Sequence, residues 1–566
     1  MDGNMQRFRP ELPVLVSLAL VALMRLHVSF VRYFDSDEFA HLHWAWLIAH
    51  GKLPYRDFFY YITPFFQWSM VPFFWLPPDG AVLILIRIWQ FAVLGASAFL
   101  LYRITRQVTR SHFTGLLSAA IFAAFPMNFD KTVDIRPDML MMLLYLVAVF
   151  LILESGKNRR ALVLSGISLS TGILLLPKIV FAVPAIFLLG IMSHPKGILK
   201  RLGYVLAGAL VPVVIFAGYL SATNLTGAAF TAVLRDSVAV NAGKQAFSPW
   251  KALSPWPLVY VHAGGPSFPW YVNSGLWTLA AAGLFGLFRK HRRFANFLGL
   301  YYLGGVIFLF GFPAPYLQYF LPLSLFASML AASAIADLLN LVRNRLSPAL
   351  SLALLLTLLT VLTASFRIQY QERVASGNTN DEQMGVIEAV LSVSRPDETF
   401  YDMVGSYVFR PDGYIICCHP YAEFVHLLST KPVSLRESLI ASQTRFVILD
   451  RTGVSLWKPL PDDLRFLKTH YLPSRIWKLY TPGSWFACSA GTCHWYDMEK
   501  QLVSPVPATS FDIVIAESYT IAVSPPEADL TVNGRPVSAG PVRLEAGIYA
   551  FSADNSVQNF TVQMAR

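Results

Sequence analysis

Apolar residues fall into long runs over the first two-thirds of the chain, near 12–31, 81–102, 113–128, 138–153, 161–176, 179–193, 202–221, 272–288, 295–312, 319–341 and 348–366. Runs of this length approach the ~20 residues a helix needs to cross a bilayer, so the pattern predicts eleven membrane helices. The pair over 161–193 is short enough to predict two helices meeting within the outer leaflet. Beyond Arg367 the runs stop. Asp381–Leu391 reads as a helix, Arg445–Asp450 as a buried strand, and from Pro505 short strands alternate with turns, Asn533-Gly534 being a hairpin signal. The predicted fold is a polytopic α-helical membrane protein with a C-terminal soluble α/β plus β-sandwich-like extracytoplasmic region. Its predicted parts are a transmembrane domain over 1–366, whose external loop 32–80 carries interfacial helices, an α/β domain over 367–504 and a small β-rich module over 505–566.

Charge fixes the orientation of this pattern. Charged residues make up 14% of the 566 residues, against about 25% in soluble domains, and the net charge is +11. A basic chain invites nucleic acid, but Lys and Arg here sit in short clusters between apolar runs rather than along one face, which excludes it. With the N-terminus inside, alternate loops carry Arg7/Arg9, Arg103/Arg106/Arg110, Lys157/Arg159/Arg160, Lys196/Lys200/Arg201, Arg289/Lys290/Arg292/Arg293 and Arg343/Arg345. The opposite face collects acids, among them Asp35, Asp37, Glu38, Asp57, Asp130, Asp134 and Asp138. That asymmetry is the positive-inside rule. No small-residue cleavage site follows Arg25 and His27, so the first run is expected to stay as a span. Eleven spans then put the C-terminal region outside. All four cysteines, Cys417, Cys418, Cys488 and Cys493, lie there, as an oxidising compartment allows. Cys488 and Cys493 are spaced to close a small loop. Three connectivities remain open. Disulfides are preferred to zinc because Cys417 and Cys418 are adjacent rather than spaced as two ligands.

The segment after the first run concentrates candidate chemistry. Phe34-Asp35-Ser36-Asp37-Glu38-Phe39 places three carboxylates at a membrane edge, followed by the aromatic stretch Ala45–Trp68, suited to a platform along the interface. The plain alternative is a helix N-terminus, where acids are favoured. Asp134 and Asp138 likewise could bracket the start of a span with Arg136 as local partner, Lys178 could snorkel from a helix end, and Arg25 and Arg87 could anchor at the interface. His41 and His43 read as packing or substrate-contact groups rather than metal ligands, because no third ligand pattern follows them.

The acidic run, the Gly51-x-x-Pro54-Tyr55-Arg56-Asp57-Phe58-Phe59 string and then Pro64 resemble the first external loop of GT-C membrane glycosyltransferases that use polyprenyl-phosphate sugars. The likeness is to the protein O-mannosyltransferase and lipid A aminoarabinose transferase branch. Ile86-Arg87-Ile88-Trp89, Asp134-Ile135-Arg136-Pro137-Asp138, Gly172–Lys178 and Pro315–Pro322 resemble further motifs of that branch in order and side of membrane. The chain departs from the branch where a Glu-Lys pair precedes Pro-Pro. Here the place holds Ile62-Thr63-Pro64-Phe65, with Asp57 as a compensating acid.

The resemblance implies transfer of a hexosyl or pentosyl group from a polyprenyl-phosphate donor to a glycan, lipid or protein acceptor, in a bacterial inner membrane, with membrane lipids as surroundings. Such transfer needs a carboxylate base for the acceptor hydroxyl, Asp37 with Asp35 as second candidate. The departing phosphate needs cations, for which Arg25, Arg87 and Lys178 are candidates. Glu38, Asp134 and Asp138 are candidate oxygen ligands for a divalent cation, Mg or Mn, and His41, Tyr55 and Asp57 candidate substrate contacts. The alternative classes are a flippase or transporter, or an envelope-glycan polymerase or ligase, acting on lipid-linked sugars. A transporter would show charges or broken helices at the midplane and paired halves, and neither is evident.

Overall fold

The computed structural model describes residues 10–155, 158–193, 197–236, 269–311, 317–375, 377–418, 434–448, 461–476, 478–538 and 540–565. Arg7, Arg9, Lys157, Lys196, most of the 222–271 loop, 312–316 and the end of the Arg445–Asp450 strand lie outside the described residues. The chain forms two compact units. The first comprises Met1–Tyr33, Tyr61–Phe73 and Ala81–Asp381, the second Phe34–Tyr60, Phe74–Gly80 and Glu382–Arg566.

The described secondary-structure elements of the first unit are all helices. Each of the eleven apolar runs is a helix: α1 Glu11–Val31, α4 Gly80–Thr109, α5 His112–Ala124, α6 Pro137–Glu154, α7 Arg159–Leu175, α8 Val183–Ser193, α9 Ile198–Ala222, α11 Trp270–Lys290, α12 Arg292–Phe310, α13 Leu317–Arg345 and α14 Pro348–Arg373. Among them α1, α4, α6, α9, α11, α13 and α14 are long and apolar enough to cross a membrane, whereas α5, α7 and α8 are shorter. The short helices α2 Ser36–Ala49, α3 Phe65–Met70 and α10 Thr226–Phe230 lie in the connections. On α9 the large apolar side chains Leu210, Val214 and Ile215 are 59–64% exposed, which water would penalise and lipid does not. Local sequence sets the ends: Ser111, Asn158 and Ser347 cap α5, α7 and α14, and Pro137 and Pro348 open α6 and α14.

Small residues let α7 and α9 meet backbone to backbone. A Cβ on Gly166 would stand 2.0 Å from the Val205 carbonyl oxygen, and one on Gly208 would stand 2.0 Å from that of Val163. In lipid such close packing replaces the hydrophobic drive that water supplies elsewhere.

In the second unit α2 is buried from Glu38 to Leu47 on every face. Its aromatic and small side chains find protein neighbours all round, and the aromatic stretch Ala45–Trp68 begins at its C-terminal end. The helix read at 381–391 is α15, Asp381–Val393, and the strand read at 445–450 contains β2, Phe446–Ile448, fully buried and parallel to β1, Phe400–Tyr401. Helices α16 Leu435–Ala441 and α17 Pro461–His470 and strands β3 Tyr471–Pro473, β4 Leu479–Ser489 and β5 Thr492–Tyr496 follow. Then come β6 Ser510–Ile513, β7 Glu517–Ser524, β8 Leu530–Val532, β9 Arg535–Pro536, β10 Pro541–Leu544, β11 Gly547–Ala553 and β12 Asn559–Met564. One sheet runs β1-β2-β4-β12-β7-β10, with β3 and β5 also on β4, and the other runs β6-β11-β8-β9. Phe486 and Phe560 from the first sheet and Phe511 and Phe551 from the second share one core, so the β-rich end is sandwich-like. Because β12 lies between β4 and β7, the larger sheet is continuous across residues 504 and 505. Asn533 and Gly534 both take positive φ between β8 and β9, the primed turn that a two-residue hairpin wants.

Candidate active site

At the polar ends of the helical unit, charged side chains that are far apart in sequence meet. Arg25, one and a half turns inside the C-terminal end of α1, is 1% exposed. Its Nε donates to Ala123 O at 2.6 Å and its Nη1 to Phe129 O at 3.2 Å and to Thr132 Oγ1, with the guanidinium over the Phe366 ring at 4.9 Å. Arg87, fully buried on α4, donates to Arg32 O and, at 3.1 Å, to Tyr33 O, clamping the chain where α1 ends. Both arginines thus use donors on main-chain carbonyls.

Arg32 was not singled out from sequence, yet it reaches Asp130 at 3.1 Å and Asp134. Asp134 also takes Lys131 at 2.9 Å. Asp130 accepts two further bonds from Arg373, at 2.9 and 2.8 Å, a bidentate fork from the last residue of α14. Burial pushes the Asp130 carboxyl up, but Arg32 and Arg373 outweigh it and hold the group well below the usual carboxylate range. Gln90 Nε2 donates to Asp134 O at 3.1 Å and Arg136 O at 2.6 Å, fixing this loop against α4.

Lys178 follows α7 at the turn Pro177–Ala182 and is buried. Its Nζ meets Asp138 Oδ1, donates to Gln318 O at 2.7 Å and lies 5.5 Å from the Tyr319 ring centre. The open carbonyl on Gln318 has a local cause. Pro322, four residues on in α13, has no N–H to give it, so the lysine takes the place of a helix hydrogen bond. Arg136 stands 3.6 Å from Asp138. Thr63 donates to Leu174 O near the end of α7.

In the second unit Asp35 caps α2. Its carboxylate accepts from Asp37 N at 3.0 Å, and Glu38 Oε1 accepts from Asp35 N at 2.9 Å, a reciprocal capping box. The cap reading of the acidic run is therefore correct for Asp35 and Glu38; the carboxylate of Asp37 is not used by the box. Asp57 accepts from Leu53 N at 2.7 Å and Arg56 Nε at 2.8 Å, and its carboxyl is held low, chiefly by the Arg56 hydrogen bond. Tyr55 has positive φ and packs edge-on to Tyr60, and His41 packs edge-on to Trp44. As candidate metal ligands, Glu38 is engaged in its cap, Asp134 with Arg32 and Lys131, and Asp138 with Lys178 and Arg136. A carboxylate already matched to cations is a poor fit for a divalent ion, and no step through one follows from these residues. Cys417 is bonded to Cys418 and Cys488 to Cys493, which selects one of the three connectivities.

Residues 63–221 match the family model described as dolichyl-phosphate-mannose-protein mannosyltransferase. Among the solved structures that share the fold are two of ArnT from Cupriavidus metallidurans. One, bound to undecaprenyl phosphate, aligns at 13% identity and a TM-score of 0.57, and the other, in the apo state, at 14% and 0.53. Each alignment covers 83% of this chain and 97% of that one. The matched segment is similar in sequence to membrane mannosyltransferases, and the chain is similar in fold to ArnT. No curated protein matches the chain in sequence. The matched segment contains Arg87, Asp130, Asp134, Asp138 and Lys178, so most of the charged network of the helical unit lies inside it.

Proposed function

We propose that the chain moves a sugar from a polyprenyl-phosphate donor to an acceptor on the extracytoplasmic side of a bacterial inner membrane, with inversion at the anomeric carbon. The observation that carries this reading is the coincidence of the family match over 63–221 with the fold of a chain crystallised with a polyprenyl phosphate. Asp37 is assigned as the base. It stands in the first turn of α2, in the acidic run after the first span, with Asp35 at the cap as second candidate. It takes the acceptor hydroxyl proton as the new oxygen–carbon bond forms and the bond to the lipid phosphate breaks. The charge gathering on the phosphate is assigned to the Lys178 ammonium, which Asp138 and Gln318 O hold in place. Arg25 and Arg87 act as positioning residues, since their donors hold backbone carbonyls around the end of α1 and the 126–132 turn.

The test is transfer from a labelled polyprenyl-phosphate sugar by the purified full chain. Asp37→Asn should lower kcat about 10²–10⁴-fold, the usual contribution of a positioned base. Retention of full transfer by Asp37→Asn would overturn the assignment. Lys178→Ala should weaken donor use, and an unchanged KM and kcat for the donor would remove the lysine from the site.

A further inference from the structure

The second unit contains a buried cluster that glycosyl transfer does not use. His43 on α2, Asp412, Cys417 and Cys418 each offer one ligand atom, and these atoms lie within 4.8 Å of one another. His43, Cys417 and Cys418 are fully buried. The sequence argued against a metal because the cysteines are adjacent and the histidine has no local partner, but the fold supplies both missing ligands from positions about 370 residues apart in the chain.

The chemistry of His43 is the informative part. Its Nδ1 lies 2.8 Å from Val408 O, an atom that can only accept, so Nδ1 carries a proton. Its Nε2 lies 2.7 Å from Asp412 Oδ1. A bare nitrogen and a bare carboxylate would repel at this distance, so a proton lies between them, and a metal ion would replace it only as the two atoms separate to ligand spacing. An imidazole that donates through one nitrogen to a backbone carbonyl and presents the other to a carboxylate and two sulfurs is oriented as metal-bound histidines are. Tyr407 donates its hydroxyl to Asp412, supporting that carboxylate in the same way. Gly405 keeps the space open: at φ +74, a Cβ there would stand 2.8 Å from Cys418 Sγ and 2.9 Å from His43 Cβ. The loop that carries Gly405 is itself held by Asp402, whose carboxylate accepts from the amides of Val404, Gly405 and Ser406.

We propose that His43, Asp412 and the reduced thiols of Cys417 and Cys418 form a binding site for a zinc-class divalent ion, and that the Cys417–Cys418 disulfide and the bound metal are mutually exclusive states of it. Two thiolates, one imidazole and one carboxylate make a four-ligand set suited to zinc, and thiolates on one zinc stand about 3.8 Å apart at bond lengths near 2.3 Å. Closing the disulfide therefore removes the site. In the reverse direction a dithiol delivers two electrons and two protons to the Cys417–Cys418 bond and leaves as its own disulfide. The metal then replaces the two thiol protons and the proton on His43 Nε2, and these pass to solvent.

The full chain in detergent, oxidised or reduced anaerobically with a phosphine, is given zinc or cobalt and freed of unbound metal. The reduced protein should retain one ion per chain, with thiolate-to-cobalt absorption in the cobalt form, and the oxidised protein none. The Cys488→Ser/Cys493→Ser variant should bind as the wild type does. Cys417→Ser/Cys418→Ser should not bind, and Asp412→Asn should bind about 10–100-fold more weakly. Alkylation of Cys417 and Cys418 in the reduced wild type, read by mass spectrometry, should be slowed by zinc, a measurement that does not depend on any variant folding. Zinc-independent alkylation, or equal metal content in the oxidised and reduced proteins, overturns the proposal.

Discussion

Replacing Asp130 by Ala removes one carboxylate that serves two guanidiniums. Arg373 loses both arms of its fork, at 2.9 and 2.8 Å, and Arg32 loses one of its two acids. The side chains are 10% exposed for Arg32, 16% for Asp130 and 20% for Arg373, so the cations left behind are poorly hydrated. Stranding a buried charge costs about 3–5 kcal/mol. Partial exposure, and the Asp134 partner that Arg32 keeps, reduce the expectation to about 2–4 kcal/mol. The assay is unfolding of the detergent-solubilised chain followed by tryptophan fluorescence, run as a double-mutant cycle with Arg373→Ala. The two substitutions should be non-additive by about 1 kcal/mol or more, because either one removes the same fork. The pH dependence has a definite sign. The folded pKa of Asp130 lies below its unfolded value near 4, so its stabilisation is complete above that range and is lost as pH falls toward and through the folded value. Wild type should therefore lose more stability on acidification than Asp130→Ala does. A cost below about 0.5 kcal/mol, or additivity within about 0.3–0.5 kcal/mol, would refute the view that this ion cluster ties the ends of α1 and α14 to the loop between them.

Three further outcomes follow from the same contacts. Pro322→Ala supplies an amide that competes with Lys178 for Gln318 O, so donor use should weaken while the chain stays folded; unchanged donor kinetics would show that the proline has no bearing on the lysine. Gly166→Ala forces a methyl onto the Val205 carbonyl and should cost about 1–3 kcal/mol, whereas Gly190→Ala, where a Cβ meets nothing within 4 Å, should be nearly neutral; equal costs in a thermal assay would contradict the close crossing. Burial brings the His470 imidazole down to about 4, opposed by its bond to Phe466 O and aided by the Arg436 charge. The unfolded chain then binds more protons between about pH 4 and 6.5, so stability should fall by an amount on the order of 2–3 kcal/mol as pH drops through that window, and His470→Gln should flatten this slope.

Several features of the site were legible because they are local. Asp35 and Glu38 are three residues apart, and that spacing is itself the signature of a capping box. Lys178 follows a helix end and Asp138 opens a helix, so each was visible as a charge at a polar boundary. Their pairing with each other was not, since forty residues separate them, and the carbonyl that completes the lysine's contacts belongs to a helix 140 residues further on. Arg32 and Arg373 escaped notice for the same reason, each reading as an ordinary basic residue at the end of a span.

By itself, then, the sequence determined the number and place of the apolar helices, the direction of their charge asymmetry, the Asn533-Gly534 hairpin and the family its motifs resemble. These depend on periodicity, on turn chemistry or on charge counted per loop, all of which act within a few residues. Only the tertiary structure decided which acid meets which base, that Arg25 and Arg87 donate to backbone carbonyls, that β12 enters the sheet between β4 and β7, and that His43 faces Asp412 and a pair of cysteines. Those outcomes depend on which distant segments the packing of buried surface brings together, and a charge buried by that packing must take whatever partner lies within reach.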